Sequence, residues 1–312
     1  MEETRKFLAQ MGLPGRDAYD LPTSAQRFPD GAQYRVEIPS VEGPRALKAV
    51  IETAKKLGLQ IDRVSQGSGI MLLTDEELRE MAALGQQHQM EVSLFVGPRA
   101  GWDIGAQVTS PAGKILAGRL RGMDQLVYAV EDVKRACQLG IRGVLVADEG
   151  LLWVLDELKK AGHLPGNLVI KVSVQMGQAN PAAIRMMELH GAGTYNIPTD
   201  LTLPQIAAIR QAITIPLDIY VEVPDGFGGF VRYYEIPEIV RVAAPVYLKF
   251  GLRNAPDIYP SGSHLEETAV KLTVERVRRA KMGLDMLKRY SPEAVSSKVG
   301  AEGLAIPEPS GG

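Results

Sequence analysis

Glu37, Glu149, Lys171, Glu222 and Lys249 are the titratable residues best placed to do chemistry, because each lies within or at the end of a short β-branched run. A desolvated lysine can attack a carbonyl to form a Schiff base while neighbouring carboxylates move protons. Either lysine could instead only fix a substrate carboxylate or a partner glutamate. The carboxylates offer a second chemistry, since Glu149 and Glu222, with Glu37 and Asp148 as further oxygen donors, could hold Mg or Mn and suit enolate chemistry. No histidine cluster argues for zinc.

Around these groups stand residues suited to binding. Gln175 and Asn196 are neutral hydrogen-bonders, and Arg99, Arg253, Asn254 and His264 could grip an anionic group. Each has a plainer reading: Arg253 and Asn254 as a rim ion pair, His264 as a helix cap, the inward charges as a structural network joining Glu222 to Lys249 and Glu37 to Lys171. Gly67, Ser68 and Gly69 could present amides to an anion. The glycines and aromatics of 226–232 could form a mobile lid or an ordinary loop.

These positions follow from the elements that carry them. Strand-like runs fall at 34–39, 62–65, 92–97, 143–147, 169–175, 194–197, 217–223 and 246–250. Helical patterns separate them at 44–58, 75–89, 124–139, 151–162, 181–191, 203–213, 234–243 and 265–289. Thr74, Asn180 and Thr202 read as helix starts, and Gly58, Gly140, Gly162 and Gly191 as stops. Strand–helix units of roughly 30 residues, without a glycine-rich phosphate turn after the first strand, predict a single-domain (β/α)8 TIM-type barrel. Residues 1–33 read as an N-terminal arm, 34–290 as the barrel and 291–312 as a flexible C-terminal tail.

Strand parity turns this order into geometry. The outer face must be apolar to meet the helices, so alternating polar residues point into the barrel. Arg35 and Glu37, Lys171, Ser173 and Gln175, Asn196, Asp218, Tyr220 and Glu222, and Tyr247 and Lys249 are the inward set. Arg99, Trp102, Asp103 and Glu149 reach the rim. Active sites in this fold gather at the carboxyl ends of the strands, which is where most of these lie.

Composition narrows the partners. The chain is 45% hydrophobic and 23% charged, and its 35 basic residues against 37 acidic leave no basic field for a nucleic acid. No apolar run approaches the ~18 residues of a membrane span, and the start lacks a signal-peptide core, so the expected setting is cytoplasmic. Cys137, alone in its type, sits in a helical stretch as a small buried residue and excludes a cysteine cage. Homo-oligomerisation stays open.

From Lys171 to Tyr290 the chain resembles the U32 peptidase family, through Asn180-Pro-Ala-Ala, Tyr195-Asn-Ile-Pro-Thr-Asp-Leu-Thr-Leu-Pro and Pro216-Leu-Asp-Ile-Tyr-Val-Glu-Val. The resemblance implies a barrel-like fold with the strand glutamate at Glu222, and a hydrolase label. The better-known members carry His-Gly and a cysteine soon after that glutamate, whereas this chain has Val223-Pro-Asp-Gly-Phe-Gly-Gly and no cysteine after Cys137. No iron–sulfur cluster is expected. The leading expectation is therefore a U32-like hydrolase acting on a small polar or anionic molecule. A metal- or Schiff-base-dependent lyase or isomerase is the first alternative, and a non-catalytic binding or assembly protein the second.

Overall fold

A computed structural model describes residues 1–102 and 106–309. Eight parallel strands close into a barrel in sequence order: β1 Tyr34–Pro39, β2 Arg63–Gln66, β3 Glu91–Phe95, β4 Gly143–Val146, β5 Val169–Val172, β6 Thr194–Asn196, β7 Leu217–Glu222 and β8 Val246–Phe250. Ring closure comes from β1 pairing with β8, where Glu37 lies in register with Lys249. The helices among the described residues are α1 Glu2–Gln10, α2 Pro44–Leu57, α3 Asp75–Gln87, α4 Ala106–Thr109, α5 Gly122–Gln138, α6 Glu149–Lys160, α7 Pro181–Leu189, α8 Leu203–Ala212, α9 Ile236–Ala243 and α10 Glu266–Tyr290. The (β/α)8 barrel expected from the alternation of elements is thus the fold of the chain.

Local chemistry explains the boundaries. Thr74 and Glu77 form a capping box at the start of α3, Asn180 caps α7 through the Ala183 amide, and Thr202 with Gln205 closes the start of α8. The outward residues Val36, Ile38, Val64, Val92, Val144, Ile170, Ile219 and Leu248 are buried under the helices and form the main core. α10 crosses β8 at Gly283, where a methyl group would collide with the Phe250 ring. No helix among the described residues is long and apolar enough to cross a membrane.

The chain ends close the amino-terminal mouth of the barrel. Phe28 packs edge-on against Tyr247 with ring centroids 5.4 Å apart, and the Arg35 guanidinium stands 4.0 Å over the Phe28 ring. The segment after residue 290, expected as a loose tail, is anchored instead. Arg35 donates to Ser297 Oγ at 2.9 Å and to the Glu302 carbonyl at 2.6 Å, and the Ala305 amide donates to Glu91 Oε2 at 3.3 Å. Buried Arg35 and Glu91 need polar partners, and this segment supplies them.

Candidate functional site

The barrel interior is filled with charge. Glu37, Arg63, Lys171 and Asp218 have no measurable exposure, and Lys249 is 2% exposed. Arg63 donates to Glu37 Oε2 through Nε at 2.8 Å and Nη2 at 2.5 Å, and also meets Asp218. Its guanidinium lies 3.4 Å over the Tyr247 ring, with Glu91 Oε1 at 3.6 Å. Glu37 Oε1 accepts from Ser65 Oγ at 2.6 Å and from Lys171, and Lys249 Nζ stands 3.3 Å from the same oxygen. Lys171 Nζ is 3.5 Å from Asp218 Oδ2, which accepts from Thr194 Oγ1 at 3.1 Å.

Burial decides how these groups titrate. Burial alone would raise the Glu37 carboxyl, but Arg63, then Lys171 and Lys249, overcome it and hold it well below the usual carboxylate range. Lys171 goes the other way. Burial, then the nearby Arg63 charge, pull its amine down to about 7 against the attraction of Asp218 and Glu37.

Above this network opens a cavity of about 370 Å³ at the carboxyl ends of the strands. Ser65, Ser173, Asn196, Tyr220 and Lys249 line it from the strands, and Arg99, Gln175, Tyr259 and Arg276 line it from loops and from α10. Lys249 Nζ sits 4.3 Å over the Tyr220 ring, which stacks on Phe227 with centroids 6.3 Å apart. With its amide turned to satisfy both ends, Asn196 accepts from Lys249 Nζ at 3.3 Å and donates to the Asp218 carbonyl at 2.9 Å. An amine thus stands at the floor of the cavity.

The parity argument brings Glu37, Lys171, Lys249, Asn196 and Asp218 together, and Arg99 and Gln175 join Lys249 around the cavity. It fails at Glu222. The register shifts between Tyr220 and Glu222, and this bulge turns the carboxylate out of the barrel. There it accepts from Tyr233 Oη at 2.5 Å and the Arg253 amide at 3.0 Å, with Arg279 of α10 at 3.4 Å. The expected Glu222–Lys249 pair does not form; Lys249 faces Glu37 instead.

The proposed metal pair fails with it. Glu149, at the start of α6, is committed to Arg119 at 2.5 Å and Gln178 at 2.7 Å, away from the cavity lining. Asp148 caps α6 through the Leu151 amide at 2.9 Å and binds the Leu120 amide at 3.1 Å. Among the described residues no three His, Cys, Asp or Glu side chains gather as a metal site.

Local bonding engages several other residues. The Gly67 and Ser68 amides already donate to Glu42, and the Gly69 amide to Gln66, so this turn cradles an internal carboxylate. Arg253 pairs with Asp225 at 2.9 Å on the surface, and the Asn254 amide donates to the same carboxylate. His264 is exposed in the turn before α10, outside the cavity lining. Asp103 lies outside the described residues. Cys137 is buried in α5, where burial pushes its thiol up to about 11.

Three participants escaped the sequence reading. Arg63 was legible, since it precedes outward Val64 in β2 and must point inward. Arg276 gave no signal, being one basic residue among several on α10. Tyr259, in the loop after β8, reaches the pocket only through the fold.

With this geometry in place, relatives can be compared. The family model described as Peptidase family U32 matches residues 120–223, from just before α5 to the residue after β7, so the chain is related to that family. The matched span carries Lys171, Asn196 and Asp218 but not Glu37, Arg63 or Lys249. No curated protein matches the chain. Among solved structures, a Coccidioides immitis protein assigned as a fructose-1,6-biphosphate aldolase is similar at 12% identity and TM-score 0.51, over 82% of this chain and 93% of that one. The U32 peptidase Mk0906 is similar at 16% identity and TM-score 0.43, over 75% and 98%. The YdjI aldolase of Escherichia coli K12 is similar at 13% identity and TM-score 0.47, over 84% and 94%. At these identities the shared property is the barrel.

Proposed function

We propose that the chain is an enzyme acting on a small carbonyl compound, with the Lys249 amine as the attacking group. The observation that carries this reading is the position of Lys249: the one lysine among the residues lining the cavity, held at its floor between Glu37, Asn196 and Tyr220. Lys171 gives the amine a way to shed its proton. Both amines touch Glu37 Oε1, and an amine drawn down to about 7 is partly neutral near neutrality and can accept a proton relayed by that carboxylate. The neutral Lys249 amine forms a C–N bond to the carbonyl carbon while the carbonyl oxygen gains a proton. The proton then returns to the oxygen, which departs as water. Ammonium and carbonyl thus become protonated imine and water, an electron sink for breaking a bond to the adjacent carbon.

A hydrolase is the second reading, favoured by the family relationship and by Ser65, whose hydroxyl lines the cavity and donates to Glu37 at 2.6 Å. It is the weaker one. The family match over residues 120–223 includes neither Ser65 nor Glu37, and Glu37 is already engaged by Arg63 and two lysines.

The two separate in one experiment. The protein is incubated with sodium cyanoborohydride and, in turn, pyruvate, glyoxylate, acetaldehyde and dihydroxyacetone, and its intact mass is measured. The lysine reading expects a reduced adduct that maps to Lys249 and vanishes in Lys249→Met. No adduct with any carbonyl, together with cleavage of peptide or amide substrates that is lost in Ser65→Ala, would replace it with the hydrolase.

A further inference from the structure

Two of the arginines that line the cavity come from distant parts of the chain. Arg99 follows β3 and is 6% exposed; its guanidinium lies 3.5 Å over the Trp102 ring and 4.0 Å over the Phe95 ring. Nη2 donates to the carbonyls of Gly67 and Ser68. Arg276 comes from α10, is 4% exposed, and donates through Nη1 to the Ser40 carbonyl at 3.3 Å. Each guanidinium has five N–H donors, and the Nε of both is buried with no hydrogen-bond partner among the described residues. Leaving charged groups buried and partly unsatisfied is costly, and an anion in the cavity that both arginines line would offset that cost.

The balance of charge says which kind. In the barrel interior Arg63, Lys171 and Lys249 face Glu37, Glu91 and Asp218, three against three. Beside the cavity, Arg99 and Arg276 share the carboxylate of Glu42, which is itself fixed by the Gly67 amide at 2.8 Å and the Ser68 amide at 3.2 Å, and Arg276 is drawn more weakly to Glu222. Those two acids leave the arginine pair at most one positive charge in excess.

We propose that Arg99 and Arg276 form a subsite for one carboxylate group, so that the molecule taken into the cavity is a small carboxylic acid. A planar carboxylate matches the fork of a guanidinium and balances the surplus, whereas a phosphate monoester would overshoot it. The assignment of an oxo acid, carboxylate on the arginines and carbonyl at Lys249, rests on the reading of Lys249 given above. Carboxylate capture itself does not.

Calorimetric titration at constant ionic strength tests this with propionate, which has no carbonyl, and with inorganic phosphate. Propionate is expected to bind wild type more tightly than phosphate, and roughly tenfold more weakly to Arg276→Gln and Arg99→Gln. Two variants are used so that either carries the test if the other does not fold, and Arg276→Lys should recover part of the affinity. Equal propionate binding by wild type and both glutamine variants, tighter binding of phosphate, or no binding of propionate to wild type would overturn the subsite. Loss of the cyanoborohydride adduct with propionate binding intact overturns only the Lys249 reading.

Discussion

Lys171 and Lys249 reach the same oxygen of Glu37, Lys171 in direct contact and Lys249 at 3.3 Å, from strands three places apart around the barrel. A single carboxylate thus links an amine sealed in the core to one that faces the cavity.

Glu37→Gln should be strongly destabilising, because it takes away the carboxylate that Arg63 and Lys171 share and leaves them Asp218 and Glu91 alone. Breaking a buried pair from one side costs roughly 3–5 kcal/mol. Denaturant unfolding of the variant measures this, and a loss below about 1 kcal/mol would show that the network relaxes around the amide. Adduct formation at Lys249 should fall as well, since the proton relay is cut.

The pH dependence of turnover should expose Lys171. Relay requires its neutral form, so kcat/KM should climb as pH rises through about 7 and level off above. Replacing Lys171 with Met should abolish that rising limb while any limb belonging to the substrate persists. A profile flat from pH 6 to 8 in wild type argues against the relay.

Asp62, just before β2, is 2% exposed, and burial pushes its carboxyl up to about 6, against hydrogen bonds from the Val36 amide and Gln60. The folded state therefore holds a proton that the unfolded chain has already released between pH 4 and 6. Stability from this group is present below pH 4 and declines as pH rises to 6. Asp62→Asn should remove the decline, gaining roughly 1–3 kcal/mol relative to wild type on going from pH 4 to pH 7. Unfolding curves at both values check it; an unchanged difference would mean that Asp62 titrates normally.

Truncation before Ser297 should lower the melting temperature although it removes no barrel strand or helix. Arg35 would lose its bonds to Ser297 and Glu302, and Glu91 its bond from the Ala305 amide. Two buried charges without their polar partners cost on the order of 2 kcal/mol or more. An unchanged melting temperature would show that water replaces the segment without loss.

The barrel was legible because its signals are local: caps at Thr74, Asn180 and Thr202, and the two-residue alternation that sends Glu37, Lys171, Asp218 and Lys249 inward. Parity misplaced Glu222 because a bulge is set by pairing with β8, which no stretch of β7 reveals. The run 169–175 read as one strand, yet it leaves the sheet after Val172 and turns, which moves Gln175 to the pocket wall. Asp148 and Glu149 looked chemical because they end a strand. Asp148 in fact begins the next helix, which is the other use of an aspartate there. Arg276 shows the deeper limit, since its role depends on where α10 crosses the loop bearing Ser40.

The distribution of the inner charges around the ring also governs how the chain can fold. Glu37, Arg63 and Glu91 come from the first three strands, and Lys171, Asp218 and Lys249 from the last four. The second set is not self-sufficient: it holds two bases against one acid, and Lys171 and Lys249 meet Glu37 only once β1 is in place. Halves of such a barrel have little autonomy, and partial assemblies are penalised until the ring closes. The charged interior thus acts as an assembly checksum, making acquisition of the fold all-or-none and tying the creation of the reactive amine's surroundings to the final closure of β8 on β1.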